Sequence, residues 1–329
     1  MWKYILLFII FTGCNSINIM AQMNVQEYFN NPKWHESHSE MDDARILTFA
    51  EKRVPVHYFH DVVYSKSHGN DLTLQILKPI DERPEEYPCI IYIQGSAWMK
   101  QDVYANLPAL AKFSERGYVI AIVEYTHSGI APFPAPLQDV KTAIRFMRKN
   151  ADTYGVDVNN MFVWGDSSGG HLALMTVVTD GIPEFETRQN EEFSTNVNAC
   201  VSFYGVSDIK SVHTDPCSAS SGKEDSPEGM LLGKKDVSTH ISEADEASPI
   251  HYVSETRQIP PIMLAVGTCD HIVPFSQTEL MAKTLKEAGK EYEYYVLKGA
   301  DHGSWEFWTP QFFDVVDNFL RKHIKNDND

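Results

Sequence analysis

A chain of 329 residues in which 43% are hydrophobic and 22% charged carries enough apolar material for a large buried core, which excludes a disordered chain. Its 45 acidic residues outnumber the 28 basic ones, for a formal net charge of −17. Such a surface repels phosphate backbones, so nucleic acid is excluded as a partner and a neutral substrate is expected.

Lys3 precedes an apolar run over residues 4–11, too short to span a bilayer and of the form of a secretory signal. Two ends of that signal are readable. One is cleavage after Ala21, making 1–21 the signal. The other is the lipobox Phe11-Thr12-Gly13-Cys14, in which 1–13 is removed and Cys14 is lipidated, the only membrane attachment expected. Either implies export, to the periplasm or beyond. Residues 22–53 read as a polar arm without a strong period.

From 54 to 325 strands and helices alternate, which predicts an α/β fold with a mainly parallel sheet and helices on both faces. Segments 54–59 and 72–77 read as an antiparallel pair around Ser67-His68-Gly69-Asn70. The short apolar runs 89–94, 118–123, 161–164, 199–204, 262–266 and 292–297 suit strands buried on both faces. Helices are predicted over 105–116, 137–150, 168–178, 277–288 and 311–322. In the clearest, Val140, Ala143, Ile144 and Met147 fall on one face, Pro134 and Pro136 hold back an earlier start, and Asp139 is placed to complement the dipole at the first turn. Gly117 and Gly289 stand where C-terminal caps belong. Residues 206–253 are polar and without period, as in a lid or binding loop.

Beyond Cys14, the cysteines are Cys89, Cys200, Cys217 and Cys269. They allow either two disulfides or buried free thiols. No pair has zinc-site spacing, and neither a metal nor a cofactor is called for.

Gly165-Asp166-Ser167-Ser168-Gly169 fits Gly-x-Ser-x-Gly, placed between a predicted strand and a predicted helix. That context matters, because a sharp strand-to-helix turn exposes a serine hydroxyl above a sheet while glycines let the flanking segments pack closely. Ser167 is therefore the candidate nucleophile. Ser168 fails the spacing and is expected to contribute only its amide. A hydroxyl requires an oriented base, and in this arrangement the order is Ser, acid, His. Asp270 ends the run 262–270, and His302 lies in Gly299-Ala300-Asp301-His302-Gly303, both beyond the carboxyl ends of strands. Asp301 and Asp208 remain rival acids and His271 a rival base; His171 is expected to pack and Asp166 to hydrogen-bond behind the site. Gln94-Gly95-Ser96-Ala97-Trp98 follows a strand, where the amides of Ser96 and Ala97 join that of Ser168 as candidate oxyanion donors.

The string Trp164-Gly-Asp-Ser-Ser-Gly-Gly-His-Leu-Ala resembles the elbow of the hormone-sensitive-lipase-like α/β hydrolases. Phe133-Pro-Ala-Pro-Leu-Gln-Asp-Val-Lys-Thr-Ala-Ile-Arg-Phe, Tyr154-Gly-Val-Asp, Ser248-Pro-Ile-His-Tyr-Val and Asp270-His-Ile-Val-Pro-Phe-Ser-Gln narrow the resemblance to the bacterial acetyl-xylan and feruloyl esterase-like (BD-FAE-like) branch, over roughly residues 54–324. It implies the α/β-hydrolase fold, ester hydrolysis by Ser167, Asp270 and His302, an oxyanion role for Ser96, Ala97 and Ser168, and a small-molecule or polysaccharide ester as substrate. Two departures are visible. The family's His-Gly-Gly-Gly-Trp is here Gln94-Gly-Ser-Ala-Trp98, and its Tyr-Arg-Leu-Ser is Tyr125-Thr-His-Ser128.

The side chains of Ser96, Ala97 and Trp98 are expected to shorten the acyl pocket, favouring acetyl esters. Trp98 and Trp305 are candidate substrate contacts, with Phe307, Trp308 and segment 206–253 beside a more open alcohol side. Feruloyl-ester, amide or peptide hydrolysis would use the same triad, and a binding protein on an inactive hydrolase scaffold is the alternative of another class.

Overall fold

A computed structural model describes residues 39–48, 54–80 and 86–325. The chain divides into two units, Met1–Arg53 and Val54–Asp329. In the first, residues 39–48 are exposed and contain one turn. The expected signal 1–21, with Cys14, and most of the arm 22–53 lie outside the described residues.

The apolar runs of the second unit become one eight-stranded sheet in the order β1-β2-β4-β3-β5-β6-β7-β8. Its strands are β1 Val56–Ser67, β2 Asn70–Pro79, β3 Tyr87–Ile93, β4 Val119–Val123, β5 Val156–Asp166, β6 Ala199–Phe203, β7 Ile262–Gly267 and β8 Tyr292–Leu297. β1 and β2 form the expected hairpin, longer than 54–59 and 72–77 suggest, and β2 pairs antiparallel with β4. All further neighbours are parallel. This is the α/β-hydrolase fold.

Alternate residues of a strand face opposite sides, so each central strand feeds two cores. Cys89, Ile91 and Ile93 pack on one face with helices α2 (Ala135–Lys149), α4 (Ser168–Val178) and α8 (Phe275–Glu287). Ile90 and Tyr92 pack on the other with α1 (Leu107–Ser114) and α9 (Pro310–Lys322), whose Phe312, Val316 and Phe319 repeat on a helical period. A short α3 (Ala151–Tyr154) lies before β5.

Three local expectations are corrected. Pro136 sits inside the first turn of α2, where a missing N–H costs nothing. Asp139 lies beyond that turn and is buried, its carboxylate accepting the Thr126 N–H at 2.8 Å, and burial raises its pKa. It therefore braces a loop rather than answering a helix dipole. All four described cysteines are free, but only Cys89 and Cys200 are buried, while Cys217 and Cys269 are exposed.

Segment 206–253 is no bare loop. It carries α5 (Ile209–Val212), α6 (Pro227–Leu231) and α7 (Ile241–Glu246). Ile209, Val212, Leu231, Val237 and Ala244 are buried in the core shared with α2 and α4. Helices of four to six residues are too short to display a period, which is why the sequence reads as unpatterned.

Candidate active site

β5 ends at Asp166 and α4 begins at Ser168, leaving Ser167 between them at φ +53°, ψ −125°. A side-chain-bearing residue held there costs about 1–3 kcal/mol. Packing on both sides maintains it. A Cβ on Gly165 would lie 2.2 Å from the Gly169 carbonyl oxygen, and one on Gly169 would lie 1.9 Å from that of Ile93. Both glycines are obligatory for the approach. Ser167 N–H donates to the Phe203 carbonyl at 2.9 Å, fixing the turn to β6.

The loops after β7 and β8 bring the other two side chains to this turn. Nε2 of His302 lies 2.9 Å from Ser167 Oγ, and Nδ1 lies 2.8 Å from Asp270 Oδ2. A carboxylate only accepts, so Nδ1 carries the proton and Nε2 is free to accept from the serine hydroxyl. The Asp270 side chain is fully buried. Its Oδ1 accepts the N–H groups of Ile272 and Val273 at 3.0 and 2.9 Å, which aims Oδ2 at the imidazole. Behind the histidine, the buried Tyr204 ring lies 4.5 Å from the His302 ring and 4.7 Å from that of Phe307. The sequence reading missed Tyr204; its place just past the end of β6 was the available signal.

The rival residues are occupied elsewhere. His271 Nδ1 pairs with Asp301 Oδ1 at 2.7 Å, and the same oxygen accepts the backbone N–H of His302. Asp208 caps α5 by accepting Lys210 N–H. Asp166 accepts Tyr92 O–H at 2.5 Å and Gly95 N–H at 3.1 Å, and burial raises its pKa. His171 is buried; its Nδ1 accepts the Trp98 indole N–H at 3.0 Å and its Nε2–H donates to the Ala247 carbonyl at 2.7 Å. Burial pulls its pKa down to about 4.

The loop after β3 departs from expectation at two points. Ser96 N–H donates to Ser168 Oγ at 2.9 Å, so it is already used and is not a free oxyanion donor. The amides of Ala97 and Ser168 make no hydrogen bond among the described residues. Ala97 and Trp98 adopt φ +54° and +55°, a region disfavoured by about 1–2 kcal/mol per non-glycine residue. The loop is held in it by Ser96 Oγ donating to the Met99 carbonyl and by Ser128 N–H donating to the Trp98 carbonyl.

Trp98 is also corrected as a substrate contact. It is 2% exposed, its ring spent on His171. Phe307 is buried, and Trp308 packs against Trp164 and Tyr92 in the core. Of these four rings, Trp305 is the exposed one, at 72%. Asp208, Asp245 and His251 lie close together, with Lys210 Nζ at 2.9 Å from Asp245 supplying the cation there. A groove of about 690 Å³, lined by Ser211, Asp215, Ser276, Lys283 and Tyr292 among others, contains none of Ser167, Asp270 or His302.

Comparison with known proteins finds esterases that share this fold. The model of the family described as BD-FAE matches residues 74–285. Esterase LipC of Mycobacterium tuberculosis is 28% identical over 258 residues, which is 78% of this chain but 60% of LipC's own length. Among solved structures, a truncated form of a carbohydrate esterase from gut microbiota superposes with a TM-score of 0.74 at 27% identity, covering 83% of this chain and 98% of that one. The propionate-bound Est2 esterase of Thermogutta terrifontis gives 0.65 at 26% identity, covering 82% and 94%.

Proposed function

The chain belongs to the BD-FAE family, and from that premise we propose that it is a serine carboxylesterase acting on short-acyl esters, acetyl above all, of carbohydrates or similarly bulky alcohols. The observation that carries the proposal is the hydrogen-bonded series Asp270–His302–Ser167, with steps of 2.8 and 2.9 Å. Ser167 Oγ bonds to the ester carbonyl carbon as its proton passes to His302 Nε2, and the carbonyl π pair moves onto oxygen. The amides of Ala97 and Ser168 receive that oxyanion. When the pair returns, the C–O bond to the alcohol breaks and the leaving oxygen takes the proton from His302. Water then repeats the sequence against the acyl-enzyme, releasing the carboxylic acid and free Ser167. Asp270 holds the neutral imidazole in the reactive tautomer and stabilises the imidazolium formed between proton transfers.

The carbohydrate esterase and the propionate-bound Est2 among the structural neighbours support a sugar-borne and short-acyl substrate, respectively. Export is proposed on Lys3 and the apolar run 4–11; intact mass of the native protein separates a lipidated Cys14 from cleavage after Ala21, and a retained Met1 refutes both. The activity is tested with a fluorophosphonate probe. Wild type is expected to be labelled on the peptide carrying Ser167 and Ser167→Ala to be unlabelled. A label on another residue, or none on wild type, refutes the reading.

A further inference from the structure

Three side chains of the elbow hold the loop after β3 at successive points. Asp166 takes Gly95 N–H, Ser168 takes Ser96 N–H, and His171 takes the Trp98 indole N–H. The middle contact differs from its neighbours, because Ser168 also presents one of the two unengaged amides. A path of a few covalent bonds and one hydrogen bond joins the two donors: from Ser168 N through its Cα, Cβ and Oγ, across to Ser96 N, and on to Ala97 N. Ser168 is 2% exposed, so no solvent hydroxyl stands ready to replace its oxygen. Around it Ser96 Oγ lies 3.0 Å from Tyr125 O–H, and Tyr125 O–H lies 3.5 Å from Ser168 Oγ.

We propose that the Ser168 hydroxyl is a positioning group for the oxyanion hole: it anchors the Ser96 amide and thereby sets the spacing between the amides of Ala97 and Ser168. The proposal rests on the serine-esterase reading above. It gives the second serine of the Ser167-Ser168 pair a task of its own, distinct from nucleophilic attack and from the donation made by its backbone. It also accounts for how a loop with Ala97 and Trp98 at positive φ keeps one geometry. Without the acceptor, the Ser96 N–H loses its partner, and the loop, still tied at Gly95 and Trp98, can shift at Ser96 and Ala97 between those ties. Donors that must meet a developing charge tolerate little displacement, and an error of about 1 Å can cost about a hundredfold in rate.

The test compares Ser168→Ala and Ser167→Ala in the full chain, using an aryl acetate for kinetics and amide hydrogen exchange across the peptide containing Ser96. Ser168→Ala is expected to lower kcat by about ten- to a hundredfold, with KM within about threefold, a melting temperature lowered by only the few degrees that one buried hydrogen bond is worth, and faster exchange at Ser96. A kcat within about twofold of wild type overturns the proposal while Ser167→Ala stays inactive. So does a loss shared equally between KM and thermal stability, the mark of a merely structural group. Activity in Ser167→Ala instead overturns the underlying reading. Should Ser168→Ala not fold, the wild-type protein alone decides. A protected Ser96 amide supports the anchor, and one exchanging like an unbonded surface amide refutes it.

Discussion

The indole N–H of Trp98 donates to Nδ1 of His171, and this bond fixes the histidine's protonation state. A tryptophan only donates and the Ala247 carbonyl only accepts, so His171 must carry its proton on Nε2 and remain neutral. One imidazole thus joins the loop after β3, the helix behind Ser167 and segment 206–253.

A pH dependence of stability follows. Burial sets the His171 pKa at about 4, against 6.5 ordinarily. Between those values the unfolded chain binds a proton that the folded protein does not, so stability is intact above pH 6.5 and falls as pH drops toward 4. The loss is about 1.4 kcal/mol per pH unit, or about 3 kcal/mol across the window, and it levels off below. Urea unfolding of wild type and His171→Gln at pH 7, 5.5 and 4 reads it. The difference between the two should shrink by about one proton's worth as pH falls, and parallel curves would contradict the assignment.

The two acids flanking the active histidine should behave differently. Asp270 faces the His302 ring, whereas Asp301 accepts its backbone N–H and pairs with His271. Asp270→Asn can hold the wrong tautomer and is expected to lower kcat by about a thousandfold or more. Asp301→Asn keeps an acceptor oxygen for the same N–H, so it should stay within about tenfold. Steady-state kinetics on an aryl acetate decides, and a reversed order would make Asp301 the orienting acid.

The order of elements and the places of Ser167, Asp270 and His302 were legible because each depends on a local pattern: an apolar run, then a loop. Ser168 Oγ, Trp98 and Tyr204 were not. Each takes its surroundings from chain distant in sequence: Ser168 lies 72 positions from Ser96, and His171 is 73 from Trp98. A buried ring and a substrate platform have the same composition. Trp98 could be read either way until its N–H was seen facing a histidine. Segment 206–253 misled for a different reason, since its buried residues are supplied by helices shorter than two turns.

Thiol chemistry should separate the cysteines by burial. Cys89 is enclosed and burial lifts its thiol to about 12, and burial raises Cys200 as well. Both therefore lack the thiolate that alkylating reagents attack. Cys217 and Cys269 are exposed. Brief treatment of folded protein with iodoacetamide, followed by peptide mapping, is expected to modify Cys217 and Cys269 while sparing the other two until denaturant is added. Early modification of Cys89 or Cys200 would mean that the sheet opens at its centre.

Acyl-chain preference is the sharpest test of the proposed substrate class. Trp98 is buried against His171, so its ring is not expected to limit the acyl group. What remains are the side chains of Ser96 and Ala97, both partly exposed, on a loop pinned through its backbone by Asp166 and Ser168 and through the Trp98 ring by His171. Ala97 carries its methyl at φ +54°, where a glycine would leave open space, and its own amide is one of the proposed oxyanion donors. An acyl chain bound with its carbonyl oxygen at that amide is expected to run beside the methyl. A methylene that does not fit costs about 1–3 kcal/mol, or about ten- to two-hundredfold in kcat/KM. Rates should therefore fall from acetate through butyrate to octanoate aryl esters. Ala97→Gly should flatten the series by raising butyrate turnover relative to acetate. If octanoate is hydrolysed best by wild type, the short-acyl proposal is wrong. If Ala97→Gly leaves the ratios unchanged while acetate is still preferred, the limit lies elsewhere in the pocket.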